Sequence, residues 1–156
     1  YGLKAAVNDD GTVARPEEGT SLAGALGAAT AAFPPYDGFT EAFVALDDRC
    51  LRVVVADEND ERVQGLRAVD GLDPYDAMLF VFDAPSSARF TMADTLIALD
   101  IGWYDSAGAL VDRTTMQPCP GTEAECPTYA ARGPYRYALE TEAGALGAGG
   151  IGGCPG

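Results

Sequence analysis

The sequence predicts a mainly β fold with one or two short helices, and three observations carry that reading. About six segments between residues 43 and 139 have strand length and are rich in branched or aromatic side chains. Turn signals built on Asp, Pro and Gly separate them. The 156 residues are 47 % apolar and 22 % charged, the balance of a chain that buries one core of ordinary size.

In chain order, residues 1–40 read as a loosely packed N-terminal extension. It holds a turn signal at Asn8-Asp9-Asp10-Gly11, Pro16, an alanine and glycine stretch from Ser21 to Ala32, and Phe33-Pro34-Pro35-Tyr36. Leu22, Leu26 and Ala29 share one helical face there, interrupted by Gly24 and Gly27, which weaken a helix. A single β-rich domain is expected over 41–156. Phe43-Val44-Ala45-Leu46, a turn at Asp47-Asp48 and Leu51-Arg52-Val53-Val54-Val55 form a hairpin pattern. The acidic run Asp57 to Glu61 reads as the start of a short helix ending near Leu66, since carboxylates there meet free backbone N–H groups and the positive end of the helix dipole. A calcium loop is the competing reading of that run, but Glu61 takes the fifth place and no glycine the sixth.

After a turn at Asp73-Pro74, Met78-Leu79-Phe80-Val81-Phe82 is a continuous apolar strand that expects burial on both faces. Phe90-Thr91-Met92 alternates, and Ile97, Leu99, Ile101 and Trp103 fall on one side of the next strand. A hairpin through Ser106-Ala107-Gly108 leads to Leu110-Val111, and a late strand places Tyr135, Tyr137 and Leu139 on one face.

Ten basic against twenty-four acidic residues give a net charge of −14, a surface that repels phosphate backbones and anionic membranes, so nucleic acid is not an expected partner. The absence of histidine removes the usual serine and cysteine triads and imidazole-based zinc sites, and no cofactor or metal is expected. Cys50, Cys119, Cys126 and Cys154 are an even set allowing three pairings. The expected one joins Cys119 to Cys126 locally and Cys50 to Cys154 across the domain, in an oxidising compartment. Four buried free thiols in a cytosolic protein are the alternative. No apolar run is long enough to cross a bilayer, and the chain opens at Tyr1 without an initiator methionine, as a mature or trimmed chain would.

The succession Gly65-Leu66, Met78-Leu79-Phe80-Val81-Phe82, Phe90-Thr91-Met92-Ala93-Asp94-Thr95-Leu96-Ile97-Ala98-Leu99-Asp100-Ile101, Tyr137-Ala138-Leu139-Glu140, Ala143-Gly144 and Gly150-Ile151-Gly152-Gly153 resembles the bacterial and archaeal family of domain of unknown function number 192. Coverage runs from about Phe43 to Gly153. The resemblance implies a compact β-barrel or jelly-roll-like sandwich, often exported, and no established activity. This chain departs from the family pattern at Thr91, Ala93 and Asp94, where tryptophan, lysine and asparagine are common, and at Arg67 and Ala77. The segment Pro118-Cys119-Pro120 to Glu125-Cys126-Pro127 resembles one found in a subset of the family.

The candidate binding residues are Phe90, Met92, Asp94, Thr95 and Asp100, with Arg62 and Arg89 as cations. Asp94 and Asp100 are the carboxylates an acid and base pair would need, yet six residues of straight strand separate them by about 20 Å. The competing reading makes Asp94 a turn residue and Asp100 a carboxylate bound by nearby backbone or an arginine. Arg62, Arg67 and Arg89 can fork onto an anion or pair with the many acids. Trp103, Tyr104, Tyr135 and Tyr137 offer either a stacking platform or core. Cys119 and Cys126, with six residues between them, lack redox-motif spacing and suit a loop clamp. The glycines from Gly147 to Gly153 lack the strand, spacing and lysine of a phosphate loop.

The leading functional expectation is a non-catalytic binding or accessory module, secreted, periplasmic or attached to the cell envelope. Its partner would be a small molecule, a glycan or an envelope protein. The alternatives are a histidine-free carboxylate hydrolase acting on envelope glycans, and a purely structural domain that positions a partner through residues 1–40.

Overall fold

The computed structural model describes residues 29–31 and 33–155, together with the backbone pairing of β1 (Ala6–Val7) with β2 (Val13–Ala14). The elements that follow are β3 (Ala29–Thr30), β4 (Thr40–Leu46), β5 (Arg49–Ala56), α1 (Asn59–Gln64), β6 (Ala77–Ser86), β7 (Phe90–Thr91), β8 (Leu99–Tyr104), β9 (Leu110–Met116), β10 (Thr128–Tyr129), β11 (Tyr135–Glu142) and β12 (Ile151–Gly153). Eight of them make one sheet in the order β12-β4-β5-β6-β11-β8-β9, with β3 added beside β4; β7 and β10 pair separately.

The expected mainly β fold is present as a curled sheet forming a half-barrel. The β4–β5 hairpin turns at Asp47-Asp48, with Leu46 opposite Arg49. β5 and β6 then run parallel, with Val53 opposite Ala77 and Ala56 opposite Phe80, so the chain between them must cross over one face of the sheet. α1 lies in that crossover. Every other neighbour is antiparallel.

Strand alternation divides the core in two. Val44, Leu46, Leu51, Val53, Val55, Leu79, Tyr104, Tyr137 and Leu139 fill one cluster, which also takes in Leu110 and Ile151 from opposite ends of the strand order. Residues from both ends meet only if this face is the inside of the curl, and the Ile151 N–H donates to the Gly108 carbonyl at 2.8 Å where the ends approach. The outer face carries Val54, Met78, Phe80, Leu99, Ile101, Trp103 and Ala138 under a cover of loops. Both faces of β6 are therefore buried along Ala77–Phe80, as the continuous apolar run requires.

One expectation about strand faces changes. Tyr135, Tyr137 and Leu139 do not share a face: the register of β11 against β6 slips between Tyr135 and Tyr137, and this bulge sends Tyr135 into the outer cluster while Tyr137 and Leu139 stay inside. Residues just ahead of position 41 pack on the sheet. Ala31, Tyr36 and Phe39 are buried, and Tyr36 meets Tyr75 edge to face at 5.7 Å. Arg52 packs over Phe33 and Tyr75 and pairs with Glu41 at 3.2 Å, which fixes residues 33–40 to β4 and β5. Ala29 belongs to β3 rather than to a helical face, and the rest of the helical pattern around Leu22 and Leu26 lies outside the described residues, as does the turn at Asn8 to Gly11.

All four cysteines are paired, Cys50 with Cys154 and Cys119 with Cys126. The first bridge staples the start of β5 to the chain just beyond β12, so it closes the edge where β12 lies on β4. No helix among the described residues is long and apolar enough to cross a membrane.

Candidate functional site

The crossover that carries α1 leaves a cleft of about 260 Å³ over the outer face of β6 and β11. One wall is α1 and the turn after it. Glu61 Oε1 accepts from the Asp57 and Glu58 backbone N–H groups at 3.2 and 3.3 Å and so seals the helix start, which is how the acidic run is used. Among the described residues no group of three or more acidic or cysteine ligands is arranged for a metal. Gly65 ends the helix at φ +48°, with its N–H on the Glu61 carbonyl at 2.9 Å. A side chain there would be strained, and its Cβ would stand 3.5 Å from Phe80 on the cleft floor.

Phe80, Phe82 and Leu99 make the floor, and residues 88–95 the second wall. Phe90 meets Phe80 edge to face at 5.1 Å and lies 6.2 Å from Trp103. The Tyr135 hydroxyl donates to the Ala88 carbonyl, so the bulge that moved Tyr135 outward also anchors this wall. The two walls join where the Ala68 N–H donates to the Asp94 carbonyl at 2.8 Å, both residues holding positive φ. Aspartate tolerates that conformation and alanine pays strain for it.

The loop closed by Cys119 and Cys126 clamps the same wall. The Cys119 N–H donates to the Thr95 carbonyl at 3.0 Å, the Asp94 N–H to the Gly121 carbonyl at 3.0 Å, and Glu123 pairs with Arg67 at 2.9 Å. Arg67 also donates to the Val63 and Ala93 carbonyls, bridging one wall to the other.

Glu140 lines the cleft from β11, in the middle of the sheet between Met78 and Ile101. Its side chain shares the outer face with Ala138, two residues earlier. It is 4 % exposed, and burial alone, with no hydrogen bond or neighbouring charge among the described residues, acts on its carboxyl. Burial pushes it up to about 8, so at neutral pH it holds its proton and can donate.

Three arginines line the cleft. Arg62 donates to the Val81 carbonyl at 2.7 Å and stacks over Phe82 at 5.2 Å, while Arg89 donates through Nε to Thr128 Oγ1 at 2.7 Å. Neither has a carboxylate partner among the described residues; Arg67 does, in Glu123.

The structure thus brings Phe90, Met92, Thr95, Arg62 and Arg89 to one place and leaves two expected residues out. Asp94 is exposed at the seam between the walls and does not line the cleft. Asp100 points to the other face of β8, where its carboxylate accepts from Thr115 Oγ1 at 2.7 Å and from the Gly144 and Leu146 N–H groups at 2.9 and 3.5 Å. That is the backbone-bound reading, and the hollow of about 220 Å³ beside it is lined by Thr114, Thr115, Leu146 and Arg113. Trp103, Tyr104, Tyr135 and Tyr137 are all core and present no stacking surface. Glu140 is the residue that sequence reasoning passed over. Its signal is a charge on the same strand face as Ala138, two residues earlier, opposite the face that Tyr137 and Leu139 take.

The chain matches the family DUF192, described as "Uncharacterized ACR", over residues 42–153. Two solved structures share its fold. A protein of unknown function from Novosphingobium aromaticivorans is 25 % identical over 76 % of this chain and 84 % of that one, with a TM-score of 0.62. A candidate transcription regulator from Sinorhizobium meliloti is 24 % identical over 70 % and 90 % of the two chains, with a TM-score of 0.59, a likeness of fold alone. No curated protein matches the chain significantly.

Proposed function

The chain belongs to the DUF192 family, and from that premise we propose that it is a non-catalytic module that binds a small molecule in the cleft between α1 and residues 88–95, outside the cytosol or in the cell envelope. One observation carries the reading: an apolar cleft of about 260 Å³ presents an almost fully buried carboxyl that no described residue hydrogen-bonds or pairs with. Buried polar groups are normally hydrogen-bonded, and leaving one unmet costs about 1–3 kcal/mol, a deficit that a ligand removes. Concave apolar sites with a few convergent polar groups are where small molecules bind.

The placement outside the cytosol is supported by the two disulfides, with which it is compatible. Two-carboxylate hydrolysis draws no support, since Asp94 and Asp100 lie outside the cleft and, among the described residues, Glu140 is the one carboxyl in its lining. Regulation of transcription, the designation of the S. meliloti neighbour, is not favoured by a chain of net charge −14.

The test is a fragment screen read by thermal shift and by backbone amide NMR, on the native chain and on Ala88→Trp. Ala88 is an exposed residue of the cleft wall where an indole obstructs the entrance without disturbing the core. Fragments should shift amides of residues 62–67 and 88–95 and lose binding in Ala88→Trp. Hits unaffected by that substitution, or no hits at all, would overturn the reading.

A further inference from the structure

Resting on that binding reading, we propose that the ligand class is a small organic monoacid. Its apolar body would lie against Phe80, Phe82 and Phe90, its carboxylate would be held by Arg62 and Arg89, and a hydrogen-bond acceptor on it would be met by Glu140.

Charge selects the class. The chain carries more than twice as many acids as bases, yet three of its ten basic residues converge on this cleft, and among the described residues its lining contains one carboxyl. Arg67 is neutralised by Glu123, which leaves Arg62 and Arg89 as cations without carboxylate partners among the described residues. Each has donor groups beyond the one engaged with Val81 or Thr128, and a guanidinium fork suits a carboxylate. The acidic exterior repels large polyanions, so a compact anion with an apolar body is the form of negative charge that reaches the site.

Glu140 supplies the second half of the argument. With its proton on, it adds no opposing charge to the cleft and donates a hydrogen bond, whereas an ionised Glu140 would favour an amine. The charged groups facing the same space are Arg62 and Arg67 from α1 and the turn after it and Arg89 from the opposite wall. β6 and β8 contribute no titratable side chain to the lining. Acid binding should therefore weaken as pH rises through the range where Glu140 gives up its proton, around 8.

The experiment is isothermal titration of the full chain with benzoate, phenylacetate and hexanoate, beside benzyl alcohol and benzylamine, between pH 6 and 9. The acids should bind more tightly than the alcohol and the amine. Arg62→Gln with Arg89→Gln should weaken the acids about tenfold or more and leave the alcohol unchanged. Glu140→Gln, which keeps a donor, should retain the acids and flatten their pH dependence. Equal binding of acid and alcohol, or preference for the amine, would overturn the ligand class while leaving the cleft a binding site. Failure of all three types to bind would overturn the binding reading as well.

Discussion

Glu140→Gln tests the electrostatics of the cleft through stability alone, with no ligand needed. Burial raises the carboxyl from its ordinary 4.5 to about 8. The folded chain therefore holds a proton that the unfolded chain releases over roughly three and a half pH units, and each unit in that window is worth about 1.4 kcal/mol. Because the folded value is the higher one, the favourable contribution is complete below 4.5 and is lost as pH climbs to about 8, for a total on the order of 5 kcal/mol. Glutamine has nearly the same shape and does not titrate. Urea unfolding of both forms from pH 4 to 9 gives the difference directly. Glu140→Gln should gain on the native chain by about 1.4 kcal/mol per pH unit between 5 and 8, and the difference should level off above that. A difference curve without slope would refute the reasoning, since it would mean that the carboxyl is solvated or paired.

Other substitutions probe the frame around the cleft. Asp100→Ala should cost about 1–3 kcal/mol, because it strips the Thr115 hydroxyl and two backbone N–H groups of their acceptor, and should leave fragment binding untouched. Asp94→Asn should stay within about 0.5 kcal/mol in thermal unfolding and keep ligand affinity, since asparagine also accepts positive φ. Replacing Cys119 and Cys126 together by serine should cost about 2.5 kcal/mol and also weaken ligand affinity, because the loop holds Thr95 and Arg67. The same change at Cys50 and Cys154 should cost about 5 kcal/mol and spare affinity once the chain is folded.

What could be read from the sequence follows from how local each signal is. The β4–β5 hairpin, the doubly buried β6 and the buried row of Leu99, Ile101 and Trp103 are written in alternation and turn residues, which act within a few positions. The irregularity before Tyr137 is not, because a slip in register reverses a side chain's face without changing composition. Residues 33–40 look like weak core material by count, yet Tyr36 packs on Tyr75, a partner far along the chain that no window contains, and Phe39 packs on Tyr36. The cleft is the extreme case: helix α1, the floor of β6, the wall at 88–95 and Glu140 come from four separated segments. Phe90, Met92, Thr95, Arg62 and Arg89 were accessible as residue types with suitable chemistry. That Asp94 and Asp100 would turn away and Glu140 would turn in depends on strand phase, which the sequence specifies only once the register is known.

The most direct measurement is a crystal structure of the chain soaked with phenylacetate. The account predicts the ring against Phe90 and Phe80, the carboxylate within hydrogen-bonding distance of Arg62 or Arg89, and a polar atom of the ligand or one bridging water on Glu140. A ligand bound anywhere else, or Glu140 already satisfied by groups of the protein itself, would contradict it.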